Sequence, residues 1–227
     1  METVAFINGK GGVGKTTMAF LFLQYAEAAG VPVSLVDQDR QTSLLRLIEV
    51  AREMGQEVPL ATRPRLRVRD TRGDEKSALA LGDATLLVAP MRLNHMDVEP
   101  TLDYLETFPK ELRQITYLAP NFAKAGPSGH LLRESQRVLA GLESVIDELD
   151  LGGIGPAILY EDHLQIIGEG LPGNLFTLDP KALKGRITNP VAFARMQERI
   201  RQTVGRYFQL LELPTHEPEN REHSTAA

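Results

Sequence analysis

Gly9-Lys10-Gly11-Gly12-Val13-Gly14-Lys15-Thr16-Thr17 decides the fold of this chain. The stretch matches G-x-x-x-x-G-K-T and stands between a run of β-formers at 3–8 and an apolar-periodic segment at 15–29 that stops at Gly30. The spacing predicts strand, loop and helix. Gly11, Gly12 and Gly14 free the backbone to turn successive N–H groups inward, where they and the positive helix end hold phosphate oxygens. Lys15 then reaches the β and γ phosphates of a nucleotide, and the Thr16 hydroxyl is placed to ligate Mg²⁺. The expected binding set is Gly11, Gly12, Val13, Gly14, Lys15, Thr16 and Thr17, with ATP as ligand. The alternative is a glycine-rich turn followed by a chance lysine, and a strand and a helix in register argue against it.

The same alternation continues downstream. A second buried-type strand is expected at 32–36, ending in Asp37, then a helix at 42–54 that closes at Gly55. Further strands are expected at 66–70, 84–89, 114–119 and 156–159, with helices at 75–81, 98–108 and 131–149. Asn189 followed by Pro190 starts a last helix at 190–211. Strands alternating with helices give an α/β fold: a doubly wound, mainly parallel sheet with helices on both faces, of the P-loop NTPase type. Ligands of such sheets bind at the carboxyl ends of the strands. One domain over 1–211 is expected. A polar tail over 212–227, carrying Glu217, Glu219, Asn220, Arg221 and Glu222, has too little apolar surface to fold alone.

Composition narrows the function. Hydrophobic residues are 42% and charged residues 24% of the chain, and no apolar run approaches the roughly 20 residues of a membrane-spanning helix. The first residues lack the basic flank and apolar stretch of a secretory signal, so a cytoplasmic protein is expected. With no cysteine, thiolate chemistry, disulfides and clusters ligated by this chain's own cysteines are excluded. The histidines show no metal-ligand spacing. The net charge of -5 argues against a generally basic nucleic-acid coat but leaves room for a local patch.

Lys10 to Thr17 resembles the deviant Walker A motif of the ParA/MinD family, whose mark is the extra lysine, here Lys10. The resemblance implies a homodimer with ATP sandwiched between the subunits, in which Lys10 crosses to neutralise phosphate charge in trans. A surface lysine beside a glycine loop is the plainer alternative. Asp37-Gln38-Asp39-Arg40-Gln41 resembles the family's switch I, usually D-x-D-P-Q, with Arg40 where proline is normal. By resemblance Asp39 orients the attacking water, Asp37 contacts the magnesium shell, and the catalytic set is Lys10, Lys15 and Asp39. Asp39 could equally cap the helix that begins near Thr42. Leu66 to Gly73 occupies the place of the Walker B strand and switch II, with Asp70 as the carboxylate that holds magnesium through water. The metal set is then Thr16, Asp37 and Asp70. Arg65, Arg67 and Arg69 alternate with the apolar residues and fall on one face. An edge-like position with solvated arginines is expected, pairing with acidic groups being the other solution. Asn121 stands where the family often reads adenine, though a loop asparagine beside Pro120 is equally a turn former. Ile158 to Gly170 resembles a late strand-turn-helix of the family, with Asp162 and His163 where basic residues are frequent. The short interval from Asp39 to Asp70 points to a compact member.

Between Lys184 and Arg206 the chain carries Lys184, Arg186, Arg195, Arg199, Arg201 and Arg206 against Glu198 alone. On a helix Arg195, Arg199 and Arg206 share a stripe, opposite Met196, Ile200, Val204, Tyr207 and Leu211. Lys184, Arg186, Arg195, Arg199 and Arg206 are the candidate contacts to DNA phosphates, an ordinary solvated face being the alternative. The polar tail argues against the membrane helix of MinD-type relatives, and the absence of cysteine closes the nitrogenase iron protein branch. The resemblance thus implies a ParA-like ATPase, dimerised by ATP, bound non-specifically to DNA, stimulated by an adaptor protein, and moving a cargo such as a plasmid. An accessory or scaffold protein of DNA transfer, switched by nucleotide with little turnover, is the second reading.

Overall fold

The computed structural model describes residues 1–39, 42–56, 58, 60–73, 81–123, 131–155, 173–183 and 189–216. Its sheet is built around β1 (Glu2–Phe6), which lies between β3 (Leu66–Asp70) and β4 (Leu86–Arg92). β2 (Val33–Asp37) flanks β3, β5 (Thr116–Asn121) flanks β4, and β6 (Gly153–Ile154) flanks β5. The order is β2-β3-β1-β4-β5-β6 with every pair parallel. Val4, Ala5 and Phe6 are fully buried, because helices cover both faces of a parallel sheet.

One face is covered by α1 (Lys15–Ala28), α2 (Ser43–Glu53) and α6 (Pro190–Leu210), the other by α3 (His95–Glu106) and α5 (Arg133–Leu149). α1 is buried without a break from Met18 to Ala26. A helix apolar on all sides has to be interior, and here the sheet, α2 and α6 enclose it. Phe22 of α1 packs its ring edge on Phe6 of β1 at 4.9 Å and meets Tyr207 and Phe208 of α6 at 5.6 and 5.7 Å. This fixes the start of α1, and so the glycine loop, against the middle of the sheet. α6 begins as expected, the Asn189 side chain accepting from the N–H groups of Val191 and Ala192.

Several expectations are corrected. β5 starts at Thr116, since Gln114 closes a short α4 (Lys110–Gln114) that follows Pro109. β4 runs on to Arg92 through Pro90, past the point where its register with β1 ends at Phe6 and Val88, so a missing N–H there is tolerated. α3 starts at His95, three residues before the apolar periodicity, because Asn94 caps it. β3 is an inner strand and not edge-like: the Asp83 carboxylate accepts from Arg67 and Arg69 at 3.1 and 3.0 Å, which lets Arg69 lie buried. Leu213 is buried, and the His216 N–H donates to the Tyr25 hydroxyl at 3.0 Å, so 212–216 packs on the body.

Outside the described residues lie Arg40 and Gln41, all but Leu81 of the expected helix over 75–81, the strand at 156–159, Asp162, His163 and the rest of the late strand-turn-helix, Lys184, Arg186, and the tail from 217. No helix among the described residues is long and apolar enough to cross a membrane.

Candidate functional site

The loop after β1 is held by short bonds on every side. Gly12 and Gly14 have φ of +73° and +95°, and a side chain on Gly14 would collide with the Asn121 amide. That amide donates to the Val13 carbonyl at 3.1 Å. Asn8 accepts from the Lys10 N–H at 2.7 Å while its own amide donates to Pro90 O and Thr101 Oγ1 at 2.8 and 2.9 Å. Arg92, at the end of β4, donates to Gly12 O at 3.0 Å and lies 4.6 Å from the Phe122 ring centre.

Beside the loop opens a cavity of ≈ 690 Å³, within the range of small-molecule sites. Gly11, Gly12, Gly14, Lys15, Thr16, Thr17, Asp39, Asp70 and Arg72 are among its walls. The Lys15 ammonium donates to Asn8 O and Lys10 O at 3.2 and 3.3 Å. Burial pushes its pKa down, while Asp70 and Asp39 oppose the shift. The Thr16 hydroxyl donates to Asp70 Oδ2 at 2.7 Å. Burial lifts the Asp70 pKa to about 6, with the Thr16 bond and Lys15 pulling it down and Asp37 and Asp39 pushing it up. Asp70 Oδ1 is buried with no hydrogen-bond partner among the described residues.

A hydroxyl and an under-coordinated carboxylate side by side suit a hard divalent cation and its waters. Thr16 and Asp70 therefore fit Mg²⁺. Asp37 is occupied differently: its two oxygens accept from the N–H groups of Asp39 and Leu45 at 3.0 and 3.2 Å, so it shapes the switch I turn. Asp39 lines the cavity and accepts from Ser43 Oγ at 3.0 Å in the first turn of α2, whose N-cap is Thr42 with no side-chain cap bond, so Asp39 is not the cap of that helix. The segment after β3 is tied to the end of β1 by Thr71, whose hydroxyl donates to Phe6 O at 2.7 Å, and to the segment after β2 by Arg72 Nε on Gln38 O at 3.1 Å.

The structure thus gathers Lys15, Thr16, Asp37, Asp39 and Asp70 at the carboxyl ends of β1, β2 and β3. It does not bring Asn121 into the cavity: that side chain is buried against the loop. Lys10 is turned away from the cavity onto α3, where its ammonium donates to Met96 O at 2.8 Å and pairs with Asp97. Burial pushes the Asp97 carboxyl up, but hydrogen bonds from Lys10 and Asn94 outweigh it and hold the pKa below the usual range. Arg195, Arg199 and Arg206 all lie exposed on α6, far in sequence from the loop, while Met196, Ile200, Val204, Tyr207 and Leu211 are buried as their periodicity requires. Sequence reasoning missed Asn8, Arg92 and Asp97. Only Asp97 left a signal, as the acidic residue three after a helix-capping Asn94.

The model of the CobQ/CobB/MinD/ParA nucleotide binding domain matches residues 4–212. No curated protein sequence matches. Among solved structures, pNOB8 ParA superposes with a TM-score of 0.63 at 14% identity, over 93% of this chain and 98% of that one. An ATP complex of a Cyanothece McdA variant gives 0.57 at 15%, over 96% and 99%. A plasmid partition protein from Borrelia burgdorferi gives 0.50 at 17%, over 74% and 93%. At such identities the likeness is one of fold.

Proposed function

The chain belongs to the CobQ/CobB/MinD/ParA family of nucleotide-binding domains, and we propose that it is a cytoplasmic ATPase of the ParA type, a single domain over 1–216. One observation carries the reading: Lys15, the Thr16–Asp70 pair and Asp39 line one cavity beside a glycine loop, which is the set that phosphoryl transfer to water requires. In this reading the loop from Gly11 to Thr17 and the Lys15 ammonium hold the β and γ phosphates of ATP. Thr16 and Asp70 would hold Mg²⁺, Asp70 through water, while Asp37 shapes the turn that carries Asp39; the cation would neutralise charge on the phosphates. Asp39 orients the attacking water. Asn121 acts as a brace of the loop. Lys10 acts in trans, in a homodimer with ATP between the subunits.

Arg195, Arg199 and Arg206 project from a helix whose opposite face is core, and this supports non-specific contact with DNA phosphates in the dimer, together with Lys184 and Arg186. An adaptor protein would stimulate hydrolysis and end the cycle, so that a cargo such as a plasmid is positioned. Lys15→Ala should abolish ATP binding, and intact affinity would overturn the site.

The decisive experiment measures binding to random-sequence duplex at fixed salt with no nucleotide, ADP or ATP. Tight binding with ATP alone, prolonged in Asp39→Ala and weakened in Arg195→Ala/Arg199→Ala, is the expected result. ATP-dependent dimers without DNA binding in any state would replace the partition role with a nucleotide-switched scaffold.

A further inference from the structure

Three consecutive loop residues grip one face of α3. The Asn8 amide donates to Thr101 Oγ1 at 2.9 Å, Gly9 lies so close to Tyr104 that an added Cβ would come within 3.2 Å of its ring, and Lys10 pairs with Asp97. Positions 97, 101 and 104 follow the i, i+4, i+7 spacing of a single helix face. α3 therefore lies along the start of the phosphate loop, and Lys10 is its outermost tie.

We infer that Asp97 is the resting partner of Lys10 within one subunit, and that opening this pair releases Lys10 toward a second copy of the chain. The inference rests on the ATP-sandwich dimer proposed above. The two partners are unequal: the Lys10 side chain is 37% exposed and that of Asp97 only 8%. The lysine can leave, and the carboxylate stays. It does not stay alone, because the Asn94 amide donates to Asp97 Oδ2 at 2.8 Å and the first turn of α3 favours a negative charge. Opening is therefore affordable without any other side chain moving in. While the pair is closed, the Lys10 charge is neutralised and its ammonium is bound to Met96 O, so it has nothing to offer a phosphate in the partner. A triphosphate presents several negative charges against one carboxylate, and it can win the lysine only when a second subunit brings it within reach. The pair thus sets a threshold against dimerisation.

The test uses the full chain and AMPPNP with Mg²⁺ in sedimentation velocity, comparing wild type, Asp97→Asn, Lys10→Met and the double variant. Asn keeps the shape of Asp97 and a partner for Asn94. Asp97→Asn should tighten nucleotide-dependent self-association by about fivefold, the upper range for an ion pair with one exposed partner. Monomer affinity for AMPPNP should not change, and the gain should vanish in the Lys10→Met background. Unchanged or weaker self-association of Asp97→Asn, with wild type dimerising normally, overturns the inference. Wild type that binds AMPPNP but never dimerises sinks the sandwich reading and, with it, the release step. A double-mutant cycle in urea without nucleotide reports separately on the resting pair: coupling between positions 10 and 97 supports it, and additive effects refute it.

Discussion

The Asn121 side-chain amide donates to the Val13 carbonyl at 3.1 Å and occupies the space that a side chain on Gly14 would need. The end of β5 is thus locked to the middle of the phosphate loop, and Gly14 is required there both for its φ of +95° and for this approach.

If Asn121 is a brace, Asn121→Ala loosens the loop before any nucleotide arrives. The expected loss is about 1–2 kcal/mol of stability in urea unfolding, the scale for removing a buried hydrogen-bonding side chain. ATP affinity should fall with it, without a change in preference between ATP and GTP. Unchanged stability together with an altered base preference would instead make Asn121 a base reader.

Asp70 predicts a pH dependence with a definite sign. Its folded pKa of about 6 lies above the ordinary carboxylate value, so ionising it in the folded protein is unfavourable. Stability is fully present below about pH 4 and declines as pH rises through about 6, the window between unfolded and folded values. Asp70→Asn removes that decline and should stabilise the nucleotide-free protein at pH 7.5 by roughly 2–3 kcal/mol, with the gap closing toward pH 4. Melting curves across this range check it. The same variant should gain little from added Mg-ATP, because the carboxylate that suits the cation is gone.

How much of this was legible in the residues follows from range. The loop, its strand and its helix are local features, so the G-x-x-x-x-G-K-T spacing located Lys15 and Thr16 directly, and β3 was read to the residue because Leu66 to Asp70 carries its own alternation. Lys10's resting place was not legible, since Met96 and Asp97 meet it only after β4 has crossed beside β1. The role of Asn121 was likewise hidden, because a side chain that closes on Val13 and one that reads a base give the same letter in the sequence. The strand expected at 84–89 ends just before Pro90, and only the topology shows that β1 has ended there, so that β4 continues beside β5 to Arg92.

The arginines of β3 turn on the same point. They read as solvated on an edge-like strand, with pairing to acidic groups as the other solution, and Asp83 reaches Arg67 and Arg69 from the approach to β4. Asp83→Ala should therefore be costly for an exposed residue, removing the carboxylate that compensates a buried guanidinium. About 1–3 kcal/mol is expected, below the full penalty for a buried pair because Asp83 itself is half exposed. Asp83→Ala/Arg69→Met should recover most of the loss in urea unfolding, and a double variant no more stable than Asp83→Ala would refute the coupling.

The segment after α6 gives the last prediction, because it separates an appended tail from a part of the core. Leu213 is buried in the cluster formed by α1 and α6, and the His216 N–H is bonded to the Tyr25 hydroxyl, in the helix that carries Lys15 and Thr16. Tyr25 in turn stacks edge-on against Phe176 at 5.0 Å, and His216 Nε2 lies 3.3 Å from the Phe176 carbonyl. A chain ending at Leu211 would expose these surfaces together, whereas one ending at His216 would expose none of them. The truncation after Leu211 should lose at least about 2–4 kcal/mol, the scale of deleting one buried leucine, and Leu213→Ala should account for most of it. Thermal unfolding of the two truncations and the point variant decides the matter: equal melting of both truncations would return the domain boundary to the end of α6.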